Sequence, residues 1–206
     1  MAPNIQSAEG LKCLALFDFD GTITARDSFF EFIRFSVGTP HILAGIFLLS
    51  PVLAGYKLGL LANGRAKEII SRFFFANRDR RKFISMAQEF SVVILPGLIK
   101  DSAIKRLLWH RDQGHEVVIV SASFEVYLRA WCEGYGFKLI ATRLEEDQDR
   151  ITGKFEQPNC QGSEKVRRIE EMYRLNQFDV IFAYGDSDGD KEMLKLGTHA
   201  YYQYFS

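Results

Sequence analysis

The chain has 206 residues, which suits one domain or a core domain carrying a smaller inserted one. Hydrophobic residues make up 47% and charged residues 25%, the proportions of a soluble globular chain with material for a sizeable core. Twenty-six basic residues balance twenty-six acidic ones, which argues against a global attraction to nucleic acid.

The chain opens on a polar stretch, 1–10, that lacks the apolar segment of a signal peptide and is expected to be loose. A short apolar run, Leu14-Ala15-Leu16-Phe17, leads into the cluster Asp18-Phe19-Asp20-Gly21-Thr22. Residues 22–96 then run without a clear strand. Their pattern predicts helices over 28–37, 66–75 and 80–90, and a very apolar stretch over 42–62. The basic run Arg78, Arg80, Arg81 and Lys82, interrupted by Asp79, reads as a solvated helix face. An all-helical segment placed directly after a catalytic strand suggests a cap that closes over a site and excludes water.

From residue 98 the pattern alternates. A helix over 98–113 is ended by Gly114. Val117 to Val120 reads as a strand followed by Ser121-Ala122-Ser123, and helix 124–135 leads to a strand over 138–142. Residues 150–155, with Thr152-Gly153, read as a hairpin, and 164–176 as a helix. Val180 to Tyr184 is a third buried strand, followed by Gly185-Asp186-Ser187-Asp188-Gly189-Asp190. Residues 200–204 form a last strand whose outer edge is either open or paired with another subunit. Near-continuous apolar runs fit strands buried on both faces of a parallel sheet. The expected fold is therefore a doubly wound α/β core, with the polar clusters at the carboxyl ends of the strands, where such sheets bind ligands. Three cysteines, Cys13, Cys132 and Cys160, form no CxxC pair; a reducing cytoplasm fits them better than a disulfide framework or a zinc site.

The clusters suggest phosphate chemistry. A carboxylate can attack phosphorus and form an acyl phosphate, and a second acid can protonate the leaving oxygen and later deprotonate water. Asp18 and Asp20 fit these two roles; a pair of loop aspartates capping a helix is the plainer alternative. Asp186, Asp188 and Asp190 follow another strand end, and acids converging there with Asp18 would repel one another without a cation. Oxygen ligands of this kind suit Mg²⁺. An EF-hand is excluded, because position twelve counted from Asp186 is Gly197 rather than Glu. Ser121 can donate to a phosphate oxygen, and Lys165, opening a helix, can neutralise its charge. By position alone Lys165 also fits an ordinary surface lysine.

Together the four segments resemble the haloacid dehalogenase (HAD) superfamily of phosphatases: Asp18-Phe19-Asp20-Gly21-Thr22, then Ser121, then Lys165, then Gly185-Asp186 with Asp190. The helical insertion resembles the C1 cap of subfamily IB, the phosphoserine phosphatase-like group. The resemblance implies a Rossmannoid parallel-sheet core over 11–24 and 95–206, with an all-helical C1 cap over 25–94. It implies Asp18 as nucleophile and Asp20 as general acid/base, with Mg²⁺ held by Asp18, the Asp20 main-chain carbonyl and Asp186, and Asp190 supporting them. Thr22, which would stabilise the first loop, Ser121, the Ala122 amide and Lys165 would grip the phosphate. The acid at Asp20 favours a phosphatase over a dehalogenase.

The substrate is less sharply indicated. Asp27 stands where phosphoserine phosphatases carry a Glu that meets the serine ammonium. Ala122 and Gly189 depart from their Gly and Asn. Arg65 is a basic residue placed to meet a substrate carboxylate. The expected substrate is a small phosphorylated metabolite of the phosphoserine kind. The alternative is a lipid phosphate, resembling phosphatidylglycerophosphate, met through a membrane-contacting cap. Residues 41–62 hold a single formal charge, Lys57, and Ser50-Pro51 divides them into pieces too short to span a bilayer. They read either as a helical hairpin packed on the core or as a greasy surface at the inner face of a membrane. A phosphate-binding module without catalysis is a remote third reading.

Overall fold

β1 (Cys13–Phe17) is buried from Leu14 to Phe17, as its apolar run requires, and forms the centre of the main sheet. The computed structural model describes residues 10–205, so the expectation of a loose N-terminus falls, Gly10 apart, outside the described residues. Four parallel strands flank β1: β3 (Glu116–Phe124) and β4 (Lys138–Thr142) on one side, β7 (Val180–Gly185) and β8 (His199–Tyr202) on the other. The order is β4-β3-β1-β7-β8, with β8 at one edge. Phe17 pairs with both Ile119 and Tyr184, so the carboxyl ends of β1, β3 and β7 lie side by side. The chain fills one side of β1 before crossing to the other, which makes the end of β1 the switch point where α/β sheets form their crevice.

Alternation along β1 builds two cores. Ala15 and Phe17 pack in the layer of α5 (Asp101–Asp112) and α6 (Glu125–Tyr135), with Leu107, Tyr127 and Leu128. Leu14 and Leu16 pack in the layer of α7 (Ser163–Met172) and α8 (Lys191–Leu194), with Ile169 and Met193. Cys13, Cys132 and Cys160 are all free thiols.

Between β1 and β3, ahead of α5, come α1 (Ser28–Leu48), α2 (Ser50–Lys57), α3 (Asn63–Phe75) and α4 (Arg80–Val93). Asp27 caps α1 by accepting from the N–H groups of Phe29 and Phe30. The expected helix over 28–37 is the first arm of α1. Gly38, at φ 72° and ψ 163°, breaks it, and a second arm continues past Pro40 to Leu48. Phe32 locks the first arm in place: its ring lies 4.8–5.7 Å from those of Phe75, Phe83, Phe90 and Tyr127.

The segment is not all-helical. β2 (Arg78–Asp79) pairs antiparallel with β6 (Arg150–Phe155), which pairs with β5 (Leu144–Asp147). Two residues are too few to show a strand's period of two, and their partner lies far along the chain. The basic run is likewise not one solvated helix face: Arg78 belongs to β2 and donates to the Phe74 carbonyl at 3.0 Å, and Arg80 pairs with Glu146. Gly153 lets β6 approach α3, since a Cβ there would lie 2.6 Å from the Arg72 Cα.

Beneath the strand ends, His110 of α5 is wholly buried. Its Nε2 meets the Tyr184 hydroxyl at 3.0 Å and its Nδ1 meets His115 Nδ1 at 2.8 Å; Arg106 donates to the same hydroxyl at 2.8 Å. Burial, helped by the charge of Arg106, pushes His110 down to about 2, so it is neutral in the folded chain. An unfolded histidine titrates near about 6.5. The stability that neutral His110 contributes is thus present above that pH and is lost as pH falls towards 2. Urea unfolding at both pH values should show the wild type losing about 2 kcal/mol more than His110→Gln between pH of about 6.5 and about 5.

Candidate active site

Asp18 is the first residue after β1, and its N–H donates to the Tyr184 carbonyl at 2.9 Å, which ties the end of β1 to β7. Lys165, in the first turn of α7, is buried and reaches two carboxylates: Asp18 Oδ1 at 2.5 Å and Asp190 Oδ1 at 2.7 Å. Asp190 Oδ2 accepts from the Ser187 hydroxyl at 2.7 Å and the Ser187 N–H at 3.0 Å, so both its oxygens are engaged. Thr22 donates from its hydroxyl to Asp186 Oδ1 at 3.2 Å. Gly21 is required at φ 82°, and a Cβ there would lie 2.1 Å from Asp186 Oδ2. Ligand oxygens of Asp18, Asp186 and Asp190 fall within 4.8 Å of one another. An all-oxygen set of this kind matches a hard divalent cation. Because Asp190 is already saturated by Lys165 and Ser187, Asp18 and Asp186 are the carboxylates open to one.

The charges are strongly coupled. Burial pushes Asp18 up to about 7, although Lys165 beside it acts in the opposite sense. Burial also raises Asp186. For Lys165, burial is outweighed by Asp18 and Asp190, which hold its pKa above the ordinary lysine value. For Asp190 burial is outweighed too, and Lys165 and Ser187 keep it below the ordinary carboxylate value.

Asp20 is anchored by groups that sequence reasoning missed. Its Oδ1 accepts the Ser28 N–H at 2.7 Å, and its Oδ2 accepts the Ser123 hydroxyl. The Ser28 hydroxyl donates to Ser123 at 3.2 Å and lies 3.1 Å from the Tyr127 hydroxyl. With the Ser28 and Ser123 protons committed, Tyr127 must donate to Ser28, so the chain of donors points one way, towards Asp20. Ser123 belongs to a register irregularity in β3 between Ser121 and Phe124, the kind of bulge that re-aims side chains beside active sites. Ser121 is buried, and its hydroxyl accepts the Ser123 N–H at 2.9 Å; its neighbour Ala122 forms the cleft wall.

A cleft of about 440 Å³ opens over these acids, with Asp18, Asp20, Asp186 and Lys165 on its floor. The helices between β1 and β3 supply the opposite wall, including Phe30, Leu53, Tyr56 and Lys67. Lys67 donates to the Ala122 carbonyl at 2.9 Å and lies 4.6 Å above the Phe29 ring. Burial lowers its pKa, opposed by Asp27 and Asp20. Lys67, not Arg65, is the basic residue of α3 in the cleft; Arg65 is exposed and pairs with Glu68 at 3.2 Å. Residues two apart on a helix diverge by about 200°, so turning Lys67 inward turns Arg65 outward. Asp27 lines the cleft while capping α1, and burial raises its pKa. Two further ties escaped the sequence: Lys100 donates to the carbonyls of Gly21 at 2.7 Å and Phe205 at 3.0 Å, and Gln203 to that of Asp186 at 3.2 Å. A larger groove of about 550 Å³ lies elsewhere, lined by Arg80, Arg129 and Arg143 with acidic partners such as Glu125, and holds none of the site acids.

The arrangement is that of a doubly wound α/β protein whose acids gather at the end of the central strand. Residues 15–195 match the model of the haloacid dehalogenase-like hydrolases, and the chain belongs to that family. It is 33% identical over 194 residues to protein CicA of Caulobacter vibrioides, covering 93% of this chain and 86% of that one. Its fold is similar to a Bordetella pertussis Tohama I protein of unknown function, with a TM-score of 0.81 at 23% identity over 91% of this chain and 88% of that one. It is also similar to a phosphoserine phosphatase solved as a phospho-aspartyl intermediate analogue, with a TM-score of 0.65 at 18% identity over 91% and 84% of the two chains.

In metal-free protein, ¹³C NMR of the carboxyl carbons should show Asp18 titrating at about 7. Replacing Lys165 with Met removes the group that opposes the shift and should move that midpoint higher still. Because the folded pKa lies above the unfolded value, the carboxyl's contribution to the stability of the metal-free chain is fully present at low pH and is lost as pH rises through about 7.

Proposed function

We propose that this hydrolase is a Mg²⁺-dependent phosphomonoesterase that works through an aspartyl-phosphate on Asp18. The observation that carries the reading is the Lys165 ammonium fixed between Asp18 and Asp190, with Asp20 beside the same cleft. That set meets the needs of phosphoryl transfer: a positioned nucleophile, a proton carrier and positive charge where negative charge gathers.

Asp18 attacks phosphorus and displaces the alcohol, whose oxygen takes the proton of the Asp20 carboxylic acid. Asp20, now a carboxylate, removes a proton from water as that water attacks the aspartyl-phosphate. Inorganic phosphate leaves and Asp18 is regenerated. Lys165 offsets charge on Asp18 and the phosphoryl oxygens throughout. Mg²⁺, held by Asp18, Asp186 and the Asp20 main-chain carbonyl, would supply further charge neutralisation when bound. Thr22 holds Asp186 in place for it, and Asp190 holds Lys165. Ser121 and the Ala122 amide are assigned to the phosphate. Ser123, Ser28 and Tyr127 orient Asp20.

Residues 25–94 act in this reading as a C1 cap of the subfamily IB, phosphoserine phosphatase-like type, on a core of 11–24 and 95–206; the cleft wall they supply supports it. The substrate is a small phosphorylated metabolite, met by Asp27 and Lys67, in the cytoplasm. The apolar wall of Phe30, Leu53 and Tyr56 favours a second reading, a lipid phosphate reached at the inner face of a membrane. A non-catalytic phosphate-binding role is opposed by the complete set of acids.

Purified protein should hydrolyse an aryl phosphate only with Mg²⁺, and Asp18→Asn should fall to background. Asp20→Asn should slow turnover by about 10²–10⁴ and accumulate phosphoenzyme, detected by acid-quench trapping. Equal activity of wild type and Asp18→Asn would sink the assignment. A panel of phosphoserine, sugar phosphates and lipid phosphates separates the two substrate readings.

A further inference from the structure

We propose that the distal arm of α1 together with α2 is a docking surface for the anionic face of a lipid bilayer. The proposal rests on the phosphatase reading only for its purpose, since it brings the mouth of that cleft to the bilayer.

The surface is apolar and uncovered. Leu43, Ile46, Phe47, Leu48, Leu58 and Leu60 are all exposed, Phe47 to 79% and Leu60 to 80%. Leu43, Ile46 and Phe47 share one helix face by their spacing. A scattered exposed leucine needs no explanation, but an apolar concentration of this size marks an interaction site. Gly45 and Leu49 alone among residues 43–49 are buried, so this arm touches the body by one narrow side.

Its charge selects the partner. No acidic residue occurs between Glu31 and Glu68, whereas Arg34, Lys57, Arg65 and Lys67 all fall there. Arg34 and Lys57 are exposed, whereas Arg65, though exposed, pairs with Glu68 at 3.2 Å and Lys67 lines the cleft beside Asp27. Exposed apolar side chains in a segment that carries Arg34 and Lys57 and no acid of its own match the interface of an anionic membrane. A second copy fits poorly, because a two-fold contact would set this segment, which carries Lys57 and no acid of its own, against itself. Among the described residues no single helix is long and apolar enough to cross; α1 and α2 reach that length and composition only as a pair bent by 58°. Phe29, Phe32 and Ile33 of the proximal arm are buried in the core, so the docking surface is placed in the interface rather than across the bilayer. Tyr56 and Lys57 of α2 also line the cleft, so the same short helix joins the docking surface to the acids.

The test is flotation of the full chain with vesicles of phosphatidylcholine alone and of phosphatidylcholine with about one third phosphatidylglycerol. The wild type should float with the anionic vesicles about tenfold more than with the neutral ones, and added salt should weaken it. The triple variant Phe47→Ser, Leu58→Ser, Leu60→Ser should lose about tenfold in binding while keeping wild-type turnover of a soluble aryl phosphate, which also reports that it folds. The single variant Leu43→Glu should lose binding through repulsion. Asp18→Asn should float like wild type, so failure of the phosphatase reading and failure of docking are seen separately. A wild type that stays with the soluble fraction in both vesicle sets overturns the proposal, as does undiminished binding by the triple variant. Conversion of a lipid-free dimer to a monomer by the triple variant, read by sedimentation velocity, would assign the surface to a second copy instead.

Discussion

Lys165 stands 2.5 Å from one carboxylate and 2.7 Å from another, nearly out of reach of water, and the layout of the core serves that placement. Asp18, Asp186 and Asp190 lie too close together to share a pocket as anions without an internal cation. The cation must come from a part of the chain whose position is not negotiable. α7 meets this condition because Ile169 packs under β1 and β7 in the same core as Leu14 and Leu16. Removing one member of such a buried set leaves the others uncompensated, which costs more than the pair's net contribution to stability. The parallel sheet supplies the rest: level strand ends put Asp18, Ala122 and Asp186 beside one another without any long loop.

The helices between β1 and β3 bear on that centre at two points. Ser28, the first residue of α1, gives its N–H to Asp20, and Lys67 of α3 grips the Ala122 carbonyl. Both contacts join the wall of the cleft to its floor. The aromatic cluster around Phe32 carries these contacts, since it fixes α1 against α3, α4 and α6 together.

Much of this was legible in the residues. Buried strands betray themselves by unbroken apolar runs, and β1, β3, β4 and β7 fall where those runs lie. The acids after β1 and β7 read as one site because parallel strands bring their ends together. Helix ends moved where local turns intervened: α7 stops at Met172, and Leu175–Gln177 forms a separate 3₁₀ turn. β2 was invisible because a two-residue strand is defined by its partner alone. The partners of Asp20 escaped for a related reason: Ser123 lies 103 residues away, and nothing in its neighbourhood announces the contact. Lys67 was missed in favour of Arg65 because sequence does not give the rotation of α3 about its axis. Composition could not separate a buried hairpin from an exposed one over 41–62. The structure turns most of its large apolar side chains outward.

Gly38 divides α1 into two arms under different constraints. The proximal arm begins at Ser28, whose N–H is given to Asp20, and is wedged among aromatic rings, so almost any change there reaches the site. Beyond the break, few side chains are buried and the helical hydrogen bonding starts afresh. If the distal arm is the docking surface proposed above, descendants of this chain are free to rewrite it while inheriting the residues of the site unchanged. On that proposal, address and site share a single helix as separable modules, joined at one glycine.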